Sequence, residues 1–279
     1  MIRHLRRLLR ITRLFWLMLL SLLAVYPLLS VLQRFGQREH MDYQQGVARW
    51  WSRKFCSIVN IRIVGRGEIN AHPILFVANH ISWMDIVCLR ALLDAVFVAK
   101  QEVRDWPVFG GLAARVGTLF FKRGEEGQEV AGQMTALLAR GRSVLFFPEG
   151  TSSCGDEVMN FHARLFQAGV RTLAAIQAVA VIYPYPQQGM NPVAPFIGEQ
   201  VLLENLWRVL GEPEIEVQLH FCPGLASAGT ERRFLAEQSR AQILSLVSAA
   251  QAPVRAPEEA FEDAAFEAAT VEAAYSPPS

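Results

Sequence analysis

Three patterns of hydrophobic and polar positions succeed one another along the 279-residue chain. Residues 14–32 carry no charge, a run of 19 that approaches the ~20 needed to span hydrocarbon as a helix. Residues 41–59 then place Val47, Trp51, Phe55 and Val59 at intervals of four, with Trp50 beside the stripe, which predicts an amphipathic helix. Periodicity does not say what that face meets, and a membrane interface and the surface of a globular domain fit it equally. From residue 61 short apolar runs alternate with helical stretches, the pattern of an α/β domain. Strands are predicted at 61–64, 74–78, 95–99, 118–121, 144–147, 174–183 and 215–221, and helices near 83–93, 107–116, 127–140, 162–169 and 230–250. Gly141 stands where a helix closes, and the Pro- and Gly-rich residues 184–200 predict a loop excursion.

The expected fold is therefore α/β: a mixed, largely parallel sheet flanked by helices, preceded by an N-terminal membrane-associated helical hairpin. Its expected divisions are 1–59 for basic, apolar anchoring helices, 60–251 for the α/β domain and 252–279 for an acidic Ala/Glu/Pro tail, disordered on composition.

Charge explains the choice of a hairpin. Arg3, Arg6, Arg7, Arg10 and Arg13 lie in or before the first apolar segment, and Arg34, Arg38, Arg49, Arg53 and Lys54 follow it. A cleaved signal peptide fits poorly, because the run exceeds the usual apolar region and no small-x-small site follows before Gln33, Arg34 and Phe35. A single span would keep the basic amino terminus in the cytoplasm and carry everything after it outside. With both flanks basic and Pro27 able to break the helix, a hairpin entering and leaving by the cytoplasmic face accounts for the charges.

Composition supports a membrane role. Hydrophobic residues make up 52% of the chain and charged residues 19%, against ~25% charged in soluble domains, which excludes disorder over most of the length. The net charge of +1 conceals unlike parts. Residues 1–54 hold nine Arg and one Lys against Glu39 and Asp42, a net +8, and residues 253–279 hold Arg255 against six acids, a net −5. A basic head favours an anionic bilayer surface at ~1 kcal/mol per basic residue near it. Nucleic acid is disfavoured, since no zinc, helix-turn-helix or aromatic-rich RNA motif accompanies the charge. Cys56, Cys88, Cys154 and Cys222 are dispersed, with no CxxC and no metal-ligand spacing, and read as reduced thiols in a cytosolic compartment.

Three runs carry candidate chemistry. ILFVANHISWMD places His80 and Asp85 beyond a strand, five positions apart, where the chain turns toward a helix. A carboxylate on one imidazole nitrogen fixes the tautomer and leaves the other nitrogen to act as a base. Asp85 would equally serve to cap and charge the first helical turn. GTLFFKRG sets Lys122 and Arg123 at a strand end, suited to clamping a phosphate or simply solvated there, and Lys100 holds a similar place at the end of FVAK. VLFFPEGTSS brings Glu149, Gly150, Thr151 and Ser152 to another strand end. Gly150 lets backbone approach a ligand, and Glu149, repelled by phosphate, is expected to bond a hydroxyl or orient Arg123. No GxSxG is present, so a serine-nucleophile reading fails.

Together, His80 with Asp85, Lys122 with Arg123, and Phe147 to Thr151 resemble the ordered blocks of the glycerophospholipid acyltransferase family. The resemblance covers roughly residues 60–225, and the family's fourth block looks like Gln177-Ala178-Val179-Ala180. It implies an enzyme of the 1-acylglycerol-3-phosphate acyltransferase type on the cytoplasmic face of the inner membrane. His80, oriented by Asp85, would deprotonate a lysolipid hydroxyl for attack on the thioester of acyl-CoA or acyl carrier protein. Lys122 and Arg123 would hold the head group, and Glu149, Gly150 and Thr151 would shape the glycerol site. No metal or other cofactor is implied. Two departures stand out: Ser152 replaces the Arg that often follows the Thr, and Ala178 replaces the usual Pro. The stretch FPEGTSS through LLENLWRVL is similar to the branch with lyso-ornithine lipid acyltransferases, whose acceptor carries no phosphate. Lys122 and Arg123 favour lysophosphatidate; lyso-ornithine lipid is the alternative acceptor, and a non-enzymatic lipid-binding protein the alternative of another class.

Overall fold

The protein is described by a computed structural model that covers residues 2–32, 37–104, 109–121, 127–185 and 189–251. The acidic tail, 252–279, and the cation pair Lys122 and Arg123 lie outside the described residues.

The chain begins with α1 (Ile2–Leu20), which passes through a π-helical turn at Ser21–Val25 into α2 (Tyr26–Leu32); α3 (Gln37–Val59) then runs back along it. The α/β part follows as β1 (Ile61–Arg66), β2 (Ile74–Ala78), α4 (Trp83–Leu92), β3 (Val96–Lys100), α5 (Gln101–Arg104), α6 (Phe109–Arg115) and β4 (Leu119–Phe121). Next come α7 (Gly127–Ala139), β5 (Val144–Phe146), a 3₁₀ turn at Ala163–Phe166, α8 (Gln167–Thr172) and β6 (Ala175–Ile182). A two-strand excursion, β7 (Pro184–Tyr185) and β8 (Gly189–Met190), precedes α9 (Leu202–Val209), β9 (Ile215–Phe221) and α10 (Arg232–Gln251).

Seven strands form one sheet in the order β1-β9-β6-β2-β5-β3-β4, parallel throughout except between β6 and β9. The mixed, largely parallel sheet expected from the alternating pattern is thus present. β2 lies in the middle and every one of its residues is buried. Ile74, Phe76 and Ala78 face the core shared with α3 and α4, whereas Leu75 and Val77 face the core shared with α7, α8 and α10. Burial on both faces is why this strand reads as an unbroken apolar run. Because β2, β3, β5 and β6 are parallel, their carboxyl ends share one edge, where His80, Lys100, Phe147 and Tyr183 emerge.

The amino-terminal helices correct two expectations. Pro27 does not break the helix: within the π turn the Tyr26 N–H reaches back to the Ser21 carbonyl, shifting the hydrogen-bond register just before the proline. Ser21 Oγ accepts from Trp51 Nε1 at 2.9 Å, which pins that turn to α3. The apolar helix therefore continues past Pro27 to Leu32. Three arginines of the basic head, expected to favour an anionic bilayer, are engaged by the protein itself. Arg6 donates to the Gly211 carbonyl at 2.6 Å, Arg7 to Trp207, and Arg10 to Leu210, Glu212 and Pro213. These carbonyls lie at the end of α9, where a helix leaves acceptors unpaired and favours positive charge.

The outer face of the first helix remains apolar, with Leu8, Phe15, Trp16, Leu22 and Leu23 exposed. It is long and apolar enough to cross a membrane by length and composition. The stripe of α3 turns inward: Phe55 and Val59 are buried against the sheet, and Trp51 stacks on Phe55 with ring centroids 5.5 Å apart. Packing on the domain, one of the two readings of that stripe, is the one observed.

Candidate active site

β2 delivers His80 to the sheet edge through Asn79, whose side chain continues the ladder after the strand ends. Its Nδ2 donates to the Val181 carbonyl at 2.9 Å and its Oδ1 accepts from the Val181 N–H at 2.7 Å. Ser82 then caps α4, and Asp85, three residues on, reaches back to complete the capping box. That carboxylate is fully buried. Its Oδ2 accepts from His80 Nδ1 at 2.8 Å, Ile81 N at 2.7 Å and Ser82 N at 2.9 Å, while Oδ1 accepts from the Tyr183 hydroxyl at 2.7 Å. The two readings of Asp85, helix cap and histidine partner, are thus one arrangement. A carboxylate facing Nδ1 assigns the proton to that nitrogen and leaves Nε2 with a lone pair. Burial, and then the negative charge of Asp85, push the Tyr183 hydroxyl well above its usual range, so it stays a donor.

The loop after β5 closes on His80 from the other side. Glu149 Oε1 accepts from the His80 N–H at 2.9 Å and Oε2 from Met159 N at 3.3 Å. The Ser153 N–H donates to the His80 carbonyl at 2.8 Å. Both backbone groups of His80 are therefore held, and the Phe147 ring stacks on the imidazole with centroids 4.1 Å apart. Among the described residues the Glu149 oxygens take backbone N–H groups and join the two loops; Arg123, which it was expected to orient, lies outside them. Burial raises its pKa against the pull of those bonds.

Phe147, Glu149, Gly150 and Thr151 line a pocket of 610 Å³, with Lys100 at the end of β3 and His162 and Arg164 on the facing turn. Gly150 has φ of +70°, and a Cβ there would lie 3.5 Å from His162 Cδ2, so glycine serves both the turn and the pocket wall. Ser152 donates its hydroxyl to the Phe196 carbonyl. A second cavity, of 140 Å³, lies beneath the hairpin, walled by Leu29, Trp51, Trp83, Val87, Phe97 and Phe147 among others. Phe147, the ring on which His80 stacks, lines both cavities. Among the described residues, no three His, Cys, Asp or Glu side chains converge as metal ligands.

A half-buried imidazole with one nitrogen fixed by a buried carboxylate is chemically able to act as a general base through the other nitrogen. Residues 60–185 match the family model described as Acyltransferase. A lyso-ornithine lipid O-acyltransferase from Pseudomonas aeruginosa is 36% identical over 255 residues, 90% of this chain and 97% of the relative. The chain belongs to the acyltransferase family. A 1-acyl-sn-glycerol-3-phosphate acyltransferase from Neisseria gonorrhoeae is 32% identical over 63% of this chain and 71% of the relative. The crystal structure of the 1-acyl-sn-glycerophosphate acyltransferase PlsC from Thermotoga maritima superposes with a TM-score of 0.65 at 17% identity, over 91% of this chain and all of that one, and so shares the fold.

In this acyltransferase the structure brings together His80, Asp85, Glu149, Gly150 and Thr151, all singled out in the sequence. It adds Tyr183, His162 and Arg164. Tyr183 had a signal: a hydroxyl closing the apolar run AIQAVAVI must find a partner once buried. His162 and Arg164 had none, because a turn of mixed polarity does not say which surface it faces. The block Gln177 to Ala180 lies inside β6, where Gln177 donates to the Glu68 and Cys222 carbonyls at 2.7 and 2.9 Å and holds strands together away from the site.

Proposed function

We propose that this acyltransferase moves a fatty acyl chain from a thioester, acyl-CoA or acyl carrier protein, to the free hydroxyl of a lysolipid, with lyso-ornithine lipid as the acceptor. The observation that carries the reading is the His80 imidazole, oriented by Asp85 at 2.8 Å and stacked on the ring common to both cavities. His80 Nε2 takes the acceptor's hydroxyl proton as its oxygen bonds to the thioester carbonyl carbon. The tetrahedral intermediate collapses with cleavage of the C–S bond, and the imidazolium returns the proton to the departing thiolate. No acyl-enzyme forms. The apolar cavity receives the acyl chain and the larger pocket the acceptor, shaped by Glu149, Gly150 and Thr151, with Lys122 and Arg123 as head-group cations.

Two observations support lyso-ornithine lipid. The Pseudomonas relative aligns over nearly its whole length, and Ser152 stands where a cation would serve a phosphate and is bonded to Phe196 instead. The pair Lys122–Arg123 and the Neisseria relative favour a second reading, lysophosphatidate. In either case the exposed apolar face of α1 and α2 seats the protein on the cytoplasmic face of the inner membrane, where both substrates meet. Purified protein in detergent, given labelled lyso-ornithine lipid or lysophosphatidate, should form diacyl product only with added thioester and faster from the former. Faster transfer to lysophosphatidate would reverse the acceptor assignment, and equal product from a diacyl donor without thioester would exclude the reaction.

A further inference from the structure

The apolar cavity holds one feature that an acyl pocket does not need. Among the described residues lining it, Arg90 is the one ionisable side chain, and the other polar ones are Ser52 and Thr118. Arg90 is only 7% exposed. It lies about two turns along α4 from Trp83, the residue next to the site, or ~10 Å. α4 runs back from the carboxyl edge of the sheet, so Arg90 is at the end of the cavity away from His80. Its guanidinium sits 4.2 Å over the Phe97 ring.

Its hydrogen bonds are few and long. Nη1 donates to Gln45 Oε1 at 3.3 Å and Nη2 to Thr118 Oγ1 at 3.5 Å, both neutral acceptors. No carboxylate forms an ion pair with it among the described residues. Burial lowers its pKa to about 10, partly offset by the negative charge of Asp94, which makes no ion pair with it, and the side chain stays charged at neutral pH. A guanidinium has five donors, so this cation keeps donor capacity facing an apolar space.

We infer that Arg90 selects the far end of the acyl chain, favouring donors that end in a hydroxyl or carboxylate oxygen over methyl-terminated chains long enough to reach it. The inference rests on the acyltransferase reading given above. An oxygen there forms a charge-assisted hydrogen bond, whereas a methyl group strips water from an ion and returns nothing. Saturated chains that stop short of the guanidinium are unaffected, so the cation also sets a length limit.

The test is a panel of thioesters of increasing length, each with a methyl, hydroxyl or carboxylate end, compared in the wild type and in Arg90→Met. At the length that reaches Arg90, wild-type kcat/KM should favour the oxygen-ended chains by about tenfold to a hundredfold. Arg90→Met should abolish that preference and admit longer methyl-ended chains. Non-transferable thioether analogues of the same chains, measured by calorimetric binding, supply a readout that needs no turnover. Selective binding without any transfer would sustain the chain-end role and defeat the reaction proposed above. Indifference of the wild type to the chain end at every length, in transfer and in binding, would overturn the inference even if Arg90→Met does not fold.

Discussion

Asp85 and Arg90 are buried charges five residues apart on one helix, and the protein treats them oppositely. Asp85 sits at the start of α4, where the helix dipole favours an anion, and four donors from His80, Ile81, Ser82 and Tyr183 converge on it. Arg90 sits in the last turn, where the dipole favours a cation, yet among the described residues it donates two long bonds, both to neutral groups. A charge held by four hydrogen bonds keeps a single position and can position something else. A charge with unused donors is expensive to bury and is kept because something can use them. In the proposed reaction the first serves the catalytic apparatus and the second the choice of substrate.

Substitutions can break this contrast. Asp85→Asn should have the largest effect, lowering single-turnover transfer by about 10³- to 10⁴-fold, since an amide no longer enforces the Nδ1–H tautomer. Near-wild-type turnover would show that Asp85 only caps the helix. Tyr183→Phe leaves Asp85 Oδ1 without its donor in a fully buried place, which should cost ~1–3 kcal/mol in denaturant unfolding and reduce kcat by roughly tenfold. Ser82→Ala removes the cap of α4 and should cost ~1 kcal/mol by the same unfolding measurement. Arg90→Met should be the mildest, within ~1 kcal/mol of the wild type, because an apolar side chain suits its surroundings and only two long bonds are lost. A loss as large as that of Tyr183→Phe would make Arg90 a structural residue like Asp85.

Much of this was legible in the chain and the remainder failed for identifiable reasons. The strands of the sheet announced themselves because parallel strands buried on both faces read as apolar runs. His80 and Asp85 were legible because the whole interaction spans one turn and a cap. Tyr183 meets Asp85 only through the pairing of β2 with β6, and a contact made by sheet topology leaves no local spacing to read. Arg90 carries no local signal, because a basic residue near a helix end is ordinary. Charge counts at the amino terminus do not reveal that Arg6, Arg7 and Arg10 would find the carbonyls at the end of α9. Pro27 misled because a π turn earlier in the helix can absorb it.

The central claim, that His80 is the base of a thioester-dependent transfer, is tested most directly by comparing wild type and His80→Ala at equal membrane-bound amounts. Labelled lysolipid would be supplied with and without acyl thioester. The account predicts diacyl product from the wild type only with thioester, and none above background from His80→Ala, which remains folded and on the membrane. Turnover by His80→Ala at the wild-type rate would contradict it.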